Sequence, residues 1–195
     1  IVALLASLLL PSLQRAKHQA RLAQARVDLK SVTDALGLYR GDHEALPPTR
    51  FSCSSRTAYE LPIELAREGY LPAGQRGAVD VADMPDPFGE GGSYLYRAVG
   101  PAIVNESVVM PNASRLYVPT SFPLCTGGEG RYFADPDESP VRYAVWTDGP
   151  DPQAERLRHV PGRRPLPKRY WYASYQEPGV LTRFEDRNGT IYARP

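Results

Sequence analysis

Leu22, Ala25, Leu29, Val32, Leu36 and Tyr39 follow one another at alternating steps of three and four residues, which places them on one stripe of an α-helix. Such a stripe needs a surface to cover it. Arg15, Lys17, Arg21, Arg26, Asp28, Lys30 and Asp34 occupy the other faces and suit solvent. The spacing predicts one helix over residues 13–39, ended by Gly41, with the LPPT stretch at 46–49 as the break. The ten residues ahead of it, IVALLASLLL, are almost wholly apolar. Together the two parts make about 40 helical residues, or roughly 60 Å at 1.5 Å per residue. A small head does not bury a rod of that length, so the N-terminal half is predicted to project. Pro11 removes one backbone hydrogen bond and crowds the preceding turn, so a kink or loosening is expected there. The apolar run is too short to cross a bilayer alone, since a spanning helix needs about 20 apolar residues. It reads as part of a membrane segment, a buried core helix or a processed end with another use.

After Gly41 the character changes. Most of the 20 prolines and 16 glycines lie there, which predicts many loops, and the tyrosines concentrated there favour strands. YELPIELAREGYL at 59–71 reads as a short helix ending at Gly69, and MPDPFGEGG at 84–92 as a turn-rich loop. Six aromatic or alternating runs read as strands: SYLYRAV from 93, RLYVP from 115, VRYAVWT from 141, RYWYAS from 169, VLTRFE from 180 and TIYAR from 190. Short strands separated by Pro or Gly turns favour an antiparallel sheet. The last two flank DRNG, a tight-turn sequence, and are predicted to form a hairpin. The fold class expected is α+β, a long N-terminal helix (1–41) packed on a small antiparallel head (42–195).

Chemistry-bearing residues are few. In TDGPDP, Asp148 and Asp151, with Asp135, Asp137 and Glu138 nearby, are hard oxygen ligands of the kind calcium takes. The competing reading is that Asp and Gly simply build turns, and spacing alone favours it because the loop does not match an EF-hand. His18 and His43 fall on or just beyond the helix, and His159 lies in the basic loop RLRHVPGRRPLPKR, which reads as a solvated or subunit-contacting surface. No nucleophile elbow, GxGxxG, P-loop or HExxH occurs, so a hydrolase built on Asp148, Asp151 and His159 has little behind it and no enzyme is expected. Cys53 and Cys125 lack CxxC spacing; they are either buried thiols or one disulfide between head loops, and the export-like apolar start favours the disulfide. The sequons NES, NAS and NGT matter only where glycosylation machinery exists. A net charge of +1, from 23 basic and 22 acidic residues, gives no field for nucleic acid.

The order of apolar run, proline, basic amphipathic helix and β-rich head resembles the type IV pilin superfamily, most closely the major pseudopilins of type II secretion systems. IVALLASLLLPSLQRAKHQARLAQARVDLKSVTDALGLYR is similar to the latter part of their N-terminal helix. LPIELAREGYLP, DPFGEGGSYLYR and YAVWTDGPD are similar in order to the helix, Asp-Pro-aromatic-Gly turn and Gly-Asp loop of that head. The likeness spans about half the chain. Two departures stand out. The family's aromatic or Met start and early glutamate are expected ahead of Ile1, so the sequence is read as truncated. The segment 103–132, with Cys125, has no counterpart and reads as an insertion with its own partner surface.

The resemblance implies a bacterial protein held in the inner membrane before assembly, then polymerised with itself, other pilin-like subunits and the secretion machinery into a periplasmic or extracellular filament. Filament packing would fall to Ile1, Val2, Leu4, Leu5, Leu8, Leu9, Leu10, Pro11 and Leu13. It also implies a calcium ion bracing the TDGPD loop through Asp148 and Asp151. An alternative within the same fold is a minor or tip subunit whose insertion binds cargo or surfaces; a different class is a membrane-tethered periplasmic enzyme. Against the expected topology, the basic flank after the apolar run favours a cytoplasmic side by the positive-inside tendency.

Overall fold

The computed structural model describes residues 2–51, 60–76, 79–88, 92–105, 107–120, 122–123, 130–147 and 181–194, with side chains along the first helix described from Leu10 onward. That helix, α1, runs over Val2–His43 without interruption and carries Pro11 inside it. Proline has no N–H to give the Ser7 carbonyl, yet the helix continues, as a single lost bond permits when the turns on either side are intact. The stripe read from the sequence is the buried face: Ala25, Leu29, Val32, Leu36 and Tyr39 are in the core, with Leu22 half-covered at its edge.

The C-terminal end differs from the sequence expectation. Gly41 is still helical, and the left-handed residue that ends α1 is Glu44, with φ of 56°. The extra turn is held from outside. His43 stacks on Tyr39 at 4.2 Å between ring centroids and its Nε2 meets the Glu68 carboxylate, while the Tyr70 hydroxyl donates to Asp42. Arg40 and His43 in the last turn also suit the negative end of the helix dipole.

The head is built on a four-stranded antiparallel sheet in the order β11-β10-β9-β4, formed by β4 (Leu95–Ala98), β9 (Val141–Thr147), β10 (Leu181–Asp186) and β11 (Ile191–Arg194). Both faces of this sheet are covered, which is why VRYAVWT reads as near-continuous apolar sequence. Tyr96, Tyr143, Val145 and Leu181 face α1, together with Leu61 and Leu65 around the short helix α2 (Ile63–Arg67). Ala144, Trp146 and Phe184 face the other way, onto Leu116, Tyr117, Val118 and Phe133 of the hairpin β7 (Leu116–Pro119) and β8 (Gly130–Phe133). The layers are thus helix, sheet and hairpin, with two apolar cores.

Gly69, with φ of +80°, follows α2 as predicted, its N–H bonded to the Ala66 carbonyl. The predicted hairpin at DRNG is present. Asp186 Oδ1 accepts the backbone N–H groups of Asn188 and Thr190 at 2.8 Å, and Gly189 takes φ of +84°. The expectation of purely antiparallel pairing fails at one place: β1 (Thr49–Phe51) lies parallel to β5 (Gly100–Val104), which pairs antiparallel with β6 (Val108–Ser114). The buried Thr49 hydroxyl explains the seat of β1. It accepts from the Ala98 N–H at 3.0 Å and from the Ser114 hydroxyl at 3.0 Å, tying β1 to the end of β4 and to β6. A further hairpin, β2 (Ala73–Arg76) with β3 (Val79–Ala82), completes the described strands. The predicted strand from 169 lies outside the described residues.

Four tyrosines bind the layers, and all have phenols pushed above their usual range. Burial raises Tyr96, Tyr94 and Tyr143, aided in Tyr94 by its bond to Asp28 and in Tyr143 by the Glu185 charge; the bond to Asp42 pushes Tyr70 up to about 12. A raised folded-state value favours the neutral phenol in the fold. The stability this contributes is therefore complete below pH 10 and declines as pH rises above it, through about 12 for Tyr70 and further for the three buried phenols. Circular dichroism against pH should show the head intact at pH 9 and unfolding in that alkaline window; a head equally stable at both ends of the window would contradict it.

Candidate functional site

Among the described residues, positions 10–21 of α1 contribute nothing to either apolar core. Every residue from Leu10 to Arg21 is exposed, including Leu10 at 56% and Leu13 at 69%. Of the predicted packing residues, Leu10, Pro11 and Leu13 are thus open, and Val2, Leu4, Leu5, Leu8 and Leu9 lie on the same continuous helix. Ile1 lies outside the described residues. Exposed leucines on an isolated helical arm gain nothing for the head's stability, and such apolar surface is the usual mark of an interaction face.

The second half is clamped to the head by polar contacts that flank the apolar stripe. The Tyr94 hydroxyl donates to Asp28 Oδ2 at 2.8 Å, and Gln24 donates to Asp28 Oδ1 at 2.7 Å. Further along, Arg40 reaches from the helix to Glu185 of β10, whose side chain is almost wholly buried. Residues 181, 183 and 185 alternate onto the helix face of the sheet, so the register of β10 delivers Glu185 to Arg40. The sequence gives no local sign of this pair, because 145 positions separate its members.

Two of the motifs quoted for the family resemblance meet in space. Leu95 of β4 is opposite Trp146 of β9, so the DPFGEGG turn and the start of the TDGPD loop emerge from neighbouring strands at the same edge. Asp86, buried, accepts the Phe88 N–H at Oδ1 (2.9 Å) and the Thr147 hydroxyl at Oδ2, while its own N–H bonds to the Gly92 carbonyl at 3.0 Å. One carboxylate thereby closes its own turn and pins the residue just before Asp148. Phe88 then projects to His18 of α1 with ring centroids 6.3 Å apart in an edge-on contact. This corner links loop, turn and stalk.

Asp135 behaves as a turn residue: its Oδ1 accepts the Asp137 N–H at 2.8 Å, and its carbonyl accepts from Glu138 and Ser139. Among the described residues no group of three or more His, Cys, Asp or Glu is placed to hold a metal ion, so Asp135, Asp137 and Glu138 do not fit a calcium site by themselves. Asp148, Asp151 and His159 lie outside the described residues, as do Cys53 and Cys125. Of the other histidines, His18 is exposed on the projecting half of α1 and His43 is engaged with Tyr39 and Glu68. Within segment 103–132, β6 presents Val108, Val109 and Met110 to solvent on both of its faces. Among the described residues no helix is long and apolar enough to cross a membrane. No family model, curated protein or solved structure matches the chain.

Proposed function

We propose that the chain is a structural subunit of a helical filament of the type IV pilin kind, nearest to a type II secretion pseudopilus, and that it polymerises through α1. The observation that carries this reading is the division of one helix into two halves. Residues 25–39 bury a full stripe in the head, whereas residues 10–21 are exposed along an apolar-then-basic arm. Copies stacked about an axis would bury those arms against one another at about 25 cal/mol per Å² of apolar surface. Before assembly the same apolar end would sit in the inner membrane with the head outside the cytoplasm. Calcium enters this reading through Asp148 and Asp151 alone, at the loop that Asp86 and Thr147 anchor. Electron microscopy of native cells, labelled with antibody to the head, should show the label along thin filaments; label confined to dispersed, unassembled protein would overturn the reading.

A second reading, a minor or tip subunit, draws on the exposed apolar residues of β6. A tip subunit would carry label only at filament ends, so the same micrographs separate the two.

A further inference from the structure

The chain contains three asparagines, Asn105, Asn112 and Asn188, and each one begins an Asn-x-Ser/Thr sequon with no proline in the middle. Serine and threonine make up 20 of the 195 residues, so random order would place one of them two positions after all three asparagines in about one chain in a thousand. Backbone chemistry accounts for part of this. Asn105 and Asn112 have φ of 49° and 57°, a left-handed conformation that asparagine tolerates better than most residues. That explains the asparagines, not the hydroxyls two positions on.

The fold sorts the three sequons. Ser114 is fully buried with its hydroxyl held by Thr49, so NAS offers no hydroxyl to an enzyme once the head has folded. The other two keep both groups at the surface. Asn105 and Ser107 are exposed at the tip of the β5–β6 hairpin, where the Ser107 hydroxyl donates to the Asn105 carbonyl at 3.3 Å. Asn188 and Thr190 are exposed in the turn between β10 and β11, which Asp186 holds through their backbone N–H groups rather than their side chains.

Both of these turns lead into exposed apolar strands. β6 begins at Val108 and β11 at Ile191, each three positions after its asparagine, and each strand is at the edge of its sheet. Among the described residues of the head, the exposed large apolar side chains are Val108, Val109, Met110, Tyr132 and Ile191, and all but Tyr132 lie on these two strands. An apolar edge strand is a template for pairing with other chains, and β6 carries no charged residue to deter it. A bulky hydrophilic group at the turn would do so.

We propose that Asn105 and Asn188 are N-glycosylation sites whose sugars screen the two edge strands. The donor is an oligosaccharide joined through its C1 to a lipid diphosphate. The asparagine carboxamide nitrogen attacks C1; the C1–N bond forms, the bond from C1 to the diphosphate oxygen breaks, the lipid diphosphate leaves and the amide gives up one proton. No oxidant or reductant takes part. Recognition needs the hydroxyl two positions on, so its exposure decides between the sites. The inference requires an exported head, as the filament reading also does, but it does not require a filament.

The test uses the full-length protein from its native cells. Mass spectrometry of its peptides should find sugar on Asn105 and Asn188. Ser107→Ala and Thr190→Ala leave the asparagines in place and should each remove one glycan, whereas Ser107→Thr and Thr190→Ser should retain it. Both positions are exposed, so circular dichroism of the head should be unchanged. The Ser107→Ala, Thr190→Ala double variant should self-associate at about tenfold lower concentration, and adding Val109→Lys should reverse this. Unmodified wild-type peptides, or glycans that survive loss of the hydroxyls, would overturn the two sites, and sugar on Asn112 alone would overturn their sorting by exposure. A double variant as monomeric as the wild type would overturn the screening. A glycosylated wild type that forms no filaments would remove the filament reading and leave the sites in place.

Discussion

Replacing Arg40 by methionine is expected to destabilise the protein by about 3 kcal/mol, since it strands the carboxylate of Glu185 between helix and sheet. The Glu185 side chain is 3% exposed, and Arg40 is the cation that reaches it. The loss comes chiefly from leaving a buried charge without its counterion rather than from the attraction itself. Arg40→Met combined with Glu185→Leu should therefore regain most of the stability, because a neutral pair of similar volume suits the apolar cluster of Leu36, Tyr143 and Leu181 nearby. Urea denaturation of the single and double variants checks both. A single variant within about 0.5 kcal/mol of the parent, the range of ordinary surface changes, would show that Arg40 does not hold the stalk to the head.

That pair also marks what the sequence left hidden. Leu22 to Tyr39 could be read as one buried stripe because helical periodicity is local: each residue announces its neighbour three or four positions on. VRYAVWT and VLTRFE were legible as strands for the same reason, and DRNG as a hairpin because turn chemistry sits in a few adjacent residues. The end of α1 was not legible. Gly41 is a good stop by local rules, but Tyr39, Asp42 and His43 find Glu68 and Tyr70 across the head and carry the helix one turn further. The parallel pairing of β1 likewise depends on Thr49 meeting Ala98 and Ser114, contacts 49 and 65 positions apart. β2 and β3 are only four residues each, and β6 contains a proline, so neither hairpin carries an alternating run long enough to signal its strands. At the candidate site, the exposed arm of α1 was readable as a surplus of helix over head. The Asp86–Thr147 bond was not, although both of its motifs were.

The second large effect belongs to assembly rather than to folding. Leu10 and Leu13 are exposed and belong to neither apolar core of the described residues, so Leu10→Asn with Leu13→Asn should leave unfolding of the head within about 0.5 kcal/mol of the parent. In a filament the same two side chains would be buried against other copies. Burying an amide without a partner costs roughly 1–3 kcal/mol, and the cost recurs in every subunit along the filament, so assembly should fall to a trace. Stability and assembly thus separate in one variant, which no account of α1 as an ordinary core helix allows.

The decisive measurement is a paired one on the Leu10→Asn, Leu13→Asn variant: filament yield by electron microscopy beside the urea midpoint of the head. Filaments lost at an unchanged midpoint is the result expected of an assembly helix. Filaments retained in normal number, or a midpoint that drops with them, would contradict the assignment of the projecting half of α1 to contacts between subunits.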